Sequence, residues 1–301
     1  MSSVTLRKSV AERRANQANK AAQIDAADSP PQPAPPGAAP VLQPRRAACA
    51  LAVLLCGGVV AQAFATAWVR ARLANVVYSV LGMLVLDLLL ARVGGLGSAR
   101  WYVLHAAANG VVGMAALPDL LATLAMPTHC FAGEFSLVPA YVVPAVHLYH
   151  LVAFECSAAD WAHHLVFAGV ICPLGLFFEP GPVQNTVAFF ICGLPGGLDY
   201  AMLALVKLRR MSTLTEKVWN ARINVWIRSP GLLLAAFCCL LGRFDAHAPA
   251  ATKLRVPAWV VLVNALLCAL NGQYYMQVVV GNTFVRTRVG ADAAKVQAYN
   301  C

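Results

Sequence analysis

Eight apolar stretches, each long enough to cross a bilayer, run through the chain between residues 47 and 280. They lie at about 47–68, 73–93, 102–125, 135–154, 161–178, 185–206, 226–244 and 256–280. A transmembrane helix needs roughly 17–25 predominantly apolar residues, and in hydrocarbon a helix satisfies its own backbone polar groups. The expected fold is therefore all-α: a polytopic transmembrane helical bundle of about eight spans, within a range of six to eight. Composition agrees, with 59% hydrophobic and 12% charged residues, where soluble domains have roughly half and a quarter. The third stretch is the most polar, with Asn109, Pro118 and Asp119, and the fifth is short.

The formal net charge of +10 does not point to nucleic acid, because the basic residues sit at the ends of the apolar stretches, as membrane anchors do. With eight spans and a cytosolic N-terminus, 18 of the 23 Lys and Arg residues fall on the cytosolic side. That is the sense of the positive-inside rule, and it predicts both termini in the cytosol. Residues 1–46 contain "DSPPQPAPPGAAP" and read as a disordered, Pro/Ala-rich, basic cytosolic tail. Glu12, Asp25 and Asp28 argue against a transit peptide. Residues 47–284 form the membrane domain and 285–301 a short C-terminal tail. The ten cysteines include no C-x-x-C pair and lie mostly in apolar stretches, as small buried hydrophobes do. In "MSTLTEKVWNARINVWIRSPG", Thr213 and Glu216 have capping-box spacing, and Leu214, Val218 and Val225 share a face. This segment reads as a basic interfacial helix.

Against this apolar background one stretch concentrates polar chemistry. "HLYHLVAFECSAADWAHHLVF" holds four of the chain's seven histidines. His147 and His150 are three apart at the end of the fourth stretch. Asp160, His163 and His164 are at i, i+3 and i+4 at the start of the fifth, so each set shares a helix face. The tight turn between them makes the two helices antiparallel neighbours. At 1.5 Å per residue, His150 lies about 7 Å and His163 and His164 about 5–6 Å below the cytosolic surface. Ionisable groups at such depth face the protein interior or a wet cavity. Single histidines here, or Asp160 as a helix cap, also have a purely structural reading. H-x-x-H and H-x-x-H-H boxes are similar to those of membrane di-iron desaturases, which need about twice as many histidines. His105 stands alone, and no metal is expected.

Asp160-Trp-Ala-His163-His164 at the head of a membrane helix resembles the D…HH signature of the TLC-domain family, which includes ceramide synthases and regulators of membrane lipid composition. "LPGGLDY", from Leu194 to Tyr200, looks like the place where the synthases carry L-H-D-x-x-D-Y, with Asp199 matching the second aspartate. The resemblance covers roughly residues 70–280. It implies an endomembrane protein, most simply of the endoplasmic reticulum, that binds or regulates membrane lipid. His163, His164, Asp160 and Asp199 are the catalytic candidates. His147, His150 and Asn271 are the candidate head-group ligands at the mouth of an expected lipid cavity. The alternative is an acyl-CoA-dependent lipid N-acyltransferase, with acyl-CoA as co-substrate and no other cofactor. However, Pro195-Gly196 stands where the synthases have His-Asp. A sorting receptor or transporter is a further alternative. Asp199, about 12 Å deep, needs a partner, and a histidine of the cluster is expected. Leu194-Pro195-Gly196-Gly197 either breaks the helix or admits a neighbouring backbone. Asn185 is placed to cap the sixth helix. Asn264, Asn271, Gln273 and Gln277 offer interhelical hydrogen bonds or a polar cavity wall.

Overall fold

The computed structural model describes residues 67–154, 156, 161, 163–164, 167–250 and 256–299. The tail 1–46, nearly all of the first apolar stretch and Asp160 lie outside the described residues. Among those described there is no strand, and each of the remaining seven apolar stretches is helical. The helices are α1 (Ala67–Arg92), α2 (Arg100–Ala125), α3 (Val138–Ala153), α4 (Phe167–Phe178), α5 (Pro182–Lys207), α6 (Thr213–Phe244) and α7 (Ala258–Tyr299). Four of them, α1, α2, α5 and α6, are long and apolar enough to cross a membrane. α7 continues beyond residue 284, where the C-terminal tail was expected to begin.

Burial is distributed as lipid demands. Met114 is 71% exposed, Leu121 58% and Leu88 56%, whereas Asp87, Asp119 and Asn109 are under 10% exposed. Large apolar groups outside and polar groups inside reverse the pattern of a soluble domain. The core between α5, α6 and α7 is built from Val183, Leu232, Ala235, Val261 and Cys268, with Phe131 inserted from the loop after α2. A second cluster joins α1, α2 and α3 through Met83, Leu104, Ala108 and Val146.

Three helices carry a single π-turn: Phe167–Ile171 in α4, Phe189–Gly193 in α5 and Asn224–Arg228 in α6. Each is followed two residues later by a proline: Pro173, Pro195 and Pro230. Proline has no N–H and its ring collides with the carbonyl four residues back, and a widened turn relieves that collision. The "LPGG" run therefore does not break α5. Its second expected role is met at Gly197, where an added Cβ would lie 3.7 Å from Gly110 N and 3.8 Å from the Ala106 carbonyl. Just before the run, a Cβ on Gly193 would lie 3.0 Å from Gly113 Cα, so α2 and α5 pack backbone to backbone.

Two local readings are corrected. The segment after Lys207 is no separate interfacial helix, because it runs through the π-turn into α6. Its N-cap is Ser212, whose side chain accepts from Thr215 N, and not Thr213. Its buried stripe is Glu216, Asn220 and Asn224, while Leu214 is 45% exposed. The polar face turns inward because it has a carboxylate to meet there, described below. Asn185 caps nothing. The cap position of α5 is Gly181, and Asn185 Nδ2 donates to Asp119 Oδ2 and to the Ser136 carbonyl, both at 2.7 Å. That bond gives the polar part of α2 a partner.

Candidate functional site

His147 and His150 project from the last turns of α3, three residues apart on one face. His163 and His164 lie just before the π-turn of α4. The hairpin brings all four together. His147 Nε2 is 3.2 Å from His163 Nε2, and His164 Nε2 is 2.9 Å from His150 Nδ1. The His147 ring meets the His164 ring edge-on with centroids 5.1 Å apart. His147 Nδ1 is 2.7 Å from the Val143 carbonyl. A carbonyl only accepts, so Nδ1 carries the proton and a neutral His147 presents the Nε2 lone pair to His163. His147, His150 and His164 are buried and His163 is half-buried.

The cluster extends sideways through rings. Trp101 stacks on His150 with centroids 4.2 Å apart, and His105 meets Trp101 edge-on at 4.9 Å. His105 in turn stacks on Tyr200 of α5 at 3.6 Å. His105 is therefore not alone. Its i, i+4 spacing from Trp101 was the available signal.

Asp199 belongs to a different group. Its Oδ1 accepts from Asn220 Nδ2 at 2.8 Å, and no histidine is its hydrogen-bond partner. Asn220 also donates to Glu216 at 3.2 Å, and Lys217 pairs with Glu216 at 3.3 Å. Asn224 Nδ2 donates to the Asn220 side-chain oxygen at 2.6 Å, and Arg228 donates to Asn224. The expected histidine partner is replaced because the fully buried Glu216 face of α6 reaches Asp199 first. Pro195 and Gly196 are buried too, and an added Cβ on Gly196 would meet the Asn109 amide at 2.8 Å.

A cavity adjoins the histidines. Two lobes, of about 100 and 360 Å³, share Phe167, Ile171, Val187, Ile191, Asn264 and Leu267. The larger lobe falls within the roughly 300–1,000 Å³ of ligand sites. The smaller also touches Val143 and Pro144, one turn from His147. Phe167 lies against both His147 and His163, with centroids 5.9 and 4.5 Å apart. Asn271 lines the larger lobe. Asn264 stands in both walls and also bonds to Cys239, while Gln273 crosses to Ser229 at 3.0 Å. Asn264 thus combines a helix-to-helix contact with a place in the cavity wall, while Gln273 makes only the former and Asn271 stands in the latter.

Asp87 was not singled out from the sequence. Its carboxylate meets Arg100 Nε and Tyr149 Oη, each at 2.8 Å. A lone carboxylate within "LVLDLLLAR" was the signal. Comparison with family models, with curated proteins and with solved structures returns no match for the chain.

Proposed function

We propose that this multi-pass membrane protein binds a membrane lipid, its acyl chain in the apolar cavity and its head group at the histidine cluster. The observation that carries the reading is Phe167, which is at once a wall of both cavity lobes and a ring neighbour of His147 and His163. An apolar chain site that ends on convergent polar groups is the usual form of a ligand pocket. His150, His164 and Asn271 complete the head-group end and the wall in this proposal. It includes eight spans, both termini in the cytosol and residence in the endoplasmic reticulum or another endomembrane. The resemblance of the Asp160–His164 segment to TLC-domain proteins supports the same lipid class.

A photoreactive fatty-acyl phospholipid tests this. Crosslinks are expected on α4 and on α7 near Asn264 and Asn271, and Val187→Trp, which fills the shared wall, should abolish them. Labelling spread evenly over the exposed helix faces and unchanged in Val187→Trp sinks the cavity reading. Cells lacking the protein address the alternative, acyl transfer from acyl-CoA with His163 or His164 as base. If their ceramide and other N-acyl lipids are unchanged while phospholipid composition shifts, the protein binds or regulates lipid without that chemistry.

A further inference from the structure

We propose that His147, His163 and His164 form a binding site for one divalent transition-metal ion of the zinc class. One ring nitrogen from each lies within 4.8 Å of the others. A second set, His150, Cys156 and His164, satisfies the same limit and shares His164. Neither set contains a carboxylate among the described residues. Nitrogen and sulfur donors without oxygen suit zinc or copper and not magnesium or calcium.

The spacing fits an ion held between the rings. Zn–N bonds of about 2.0–2.1 Å in a tetrahedron put neighbouring ligand nitrogens about 3.3 Å apart, and His147 Nε2 and His163 Nε2 are 3.2 Å apart. The orientation of His147 is independent support. Its Nδ1–H is engaged by the Val143 carbonyl at 2.7 Å, which turns the Nε2 lone pair toward His163. A histidine ligand donates its other ring N–H to a backbone carbonyl or carboxylate in this way, and that bond fixes ring and tautomer. His150, 2.9 Å from His164 Nε2 and stacked on Trp101, holds the His164 ring in place. Three nitrogen ligands leave a fourth position for water or for an exogenous oxygen donor. The cluster has fewer histidines than a di-iron site needs, so one ion is the fit. The inference does not require that a lipid fill the cavity.

The test uses the full chain in detergent micelles, stripped with a chelator and dialysed against Zn²⁺ or Co²⁺. One ion per chain is expected by elemental analysis. Co²⁺ should give the intense visible bands of a tetrahedral site, bleached by Zn²⁺. A thiolate-to-cobalt charge-transfer band would put the ion on His150, Cys156 and His164 instead and overturn the three-histidine site. His147→Ala and His163→Ala should each weaken Zn²⁺ binding by about tenfold or more, while the exposed His129→Ala should not change it. Stoichiometry well below one ion per chain, or octahedral Co²⁺ bands in the unsubstituted protein, overturns the proposal whether or not the variants fold. So does unaltered binding in folded His147→Ala. Lipid crosslinking in the same samples separates the two readings: crosslinks without metal sink this one alone, and metal without crosslinks sinks the lipid cavity alone.

Discussion

Asp87, Asp119 and Asp199 each solve the problem of a carboxylate inside an apolar helix with a different partner. Asp87 has a guanidinium and a phenol, Asp119 an amide and a backbone N–H, and Asp199 the Asn220 amide. The partners rank the cost of losing them. Asp87→Leu leaves the mostly buried Arg100 side chain without its counter-charge, and breaking such a pair costs about 3–5 kcal/mol. Tyr149→Phe removes one hydrogen bond and should cost about 1 kcal/mol. Thermal unfolding in detergent should rank Asp87→Leu far below Tyr149→Phe. Equal losses would mean that Arg100 finds another partner.

Asn220 gives a second residue-scale prediction, because its one amide serves both Asp199 and Glu216. Asn220→Leu withdraws a donor from two carboxylates at once, and a buried unsatisfied group costs about 1–3 kcal/mol. Asp199→Asn keeps an oxygen that accepts from Asn220 and should be milder. If Asp199→Asn proves the more damaging of the two in the same melting assay, the carboxylate has work beyond this bond.

Among elements, helix position was legible because apolar length alone decides it in a membrane. The histidine hairpin was legible because i, i+3 and i, i+4 spacings put side chains on one face. What escaped was the direction in which mixed faces point. Thr213–Ile223 has both an apolar and a polar stripe, and sequence does not say which neighbour each will meet. Asp199 decided it. The π-turns escaped too, although Pro173, Pro195 and Pro230 mark their ends, because Pro118 and Pro144 sit in α2 and α3 without one. The contact between α2 and α5 supplies the element-scale prediction. A Cβ on Gly193 meets backbone atoms of Gly113 at 3.0 and 3.2 Å, which cannot swing aside. A Cβ on Gly113 finds its nearest atoms at 3.4 Å, an ordinary contact. Gly193→Ala should therefore destabilise by about 1–3 kcal/mol, the usual cost of overpacking. Gly113→Ala should stay within about 1 kcal/mol of the unsubstituted protein, helped by helix propensity. The reverse order would show that the two helices approach differently.

At the scale of the whole molecule, helix length connects the site to the membrane. α3 has 16 residues, about 24 Å at 1.5 Å per residue, less than the roughly 30 Å of a hydrocarbon core. A short helix thins the bilayer or lets polar groups approach the interface at its ends. In the proposed topology α3 is one of the crossings, and the histidines at its C-terminal end then sit where that mismatch is felt. Which face of the membrane that is depends on the number of crossings. In the proposed topology the chain crosses eight times, so both termini share a side with the cluster and with the basic turn at Arg209 and Arg210. Epitope tags at the two ends, in sealed microsomes, should both be digested by added protease without detergent. A glycosylation sequon engineered into the loop at 245–250 should be modified on the opposite, luminal side. A protected C-terminal tag beside a digested N-terminal one would mean an odd number of crossings. If the sequon were glycosylated all the same, the missing crossing would lie in α7. If it were not, the missing crossing would lie at or before α6, and the cluster would face the other compartment where that crossing precedes His147.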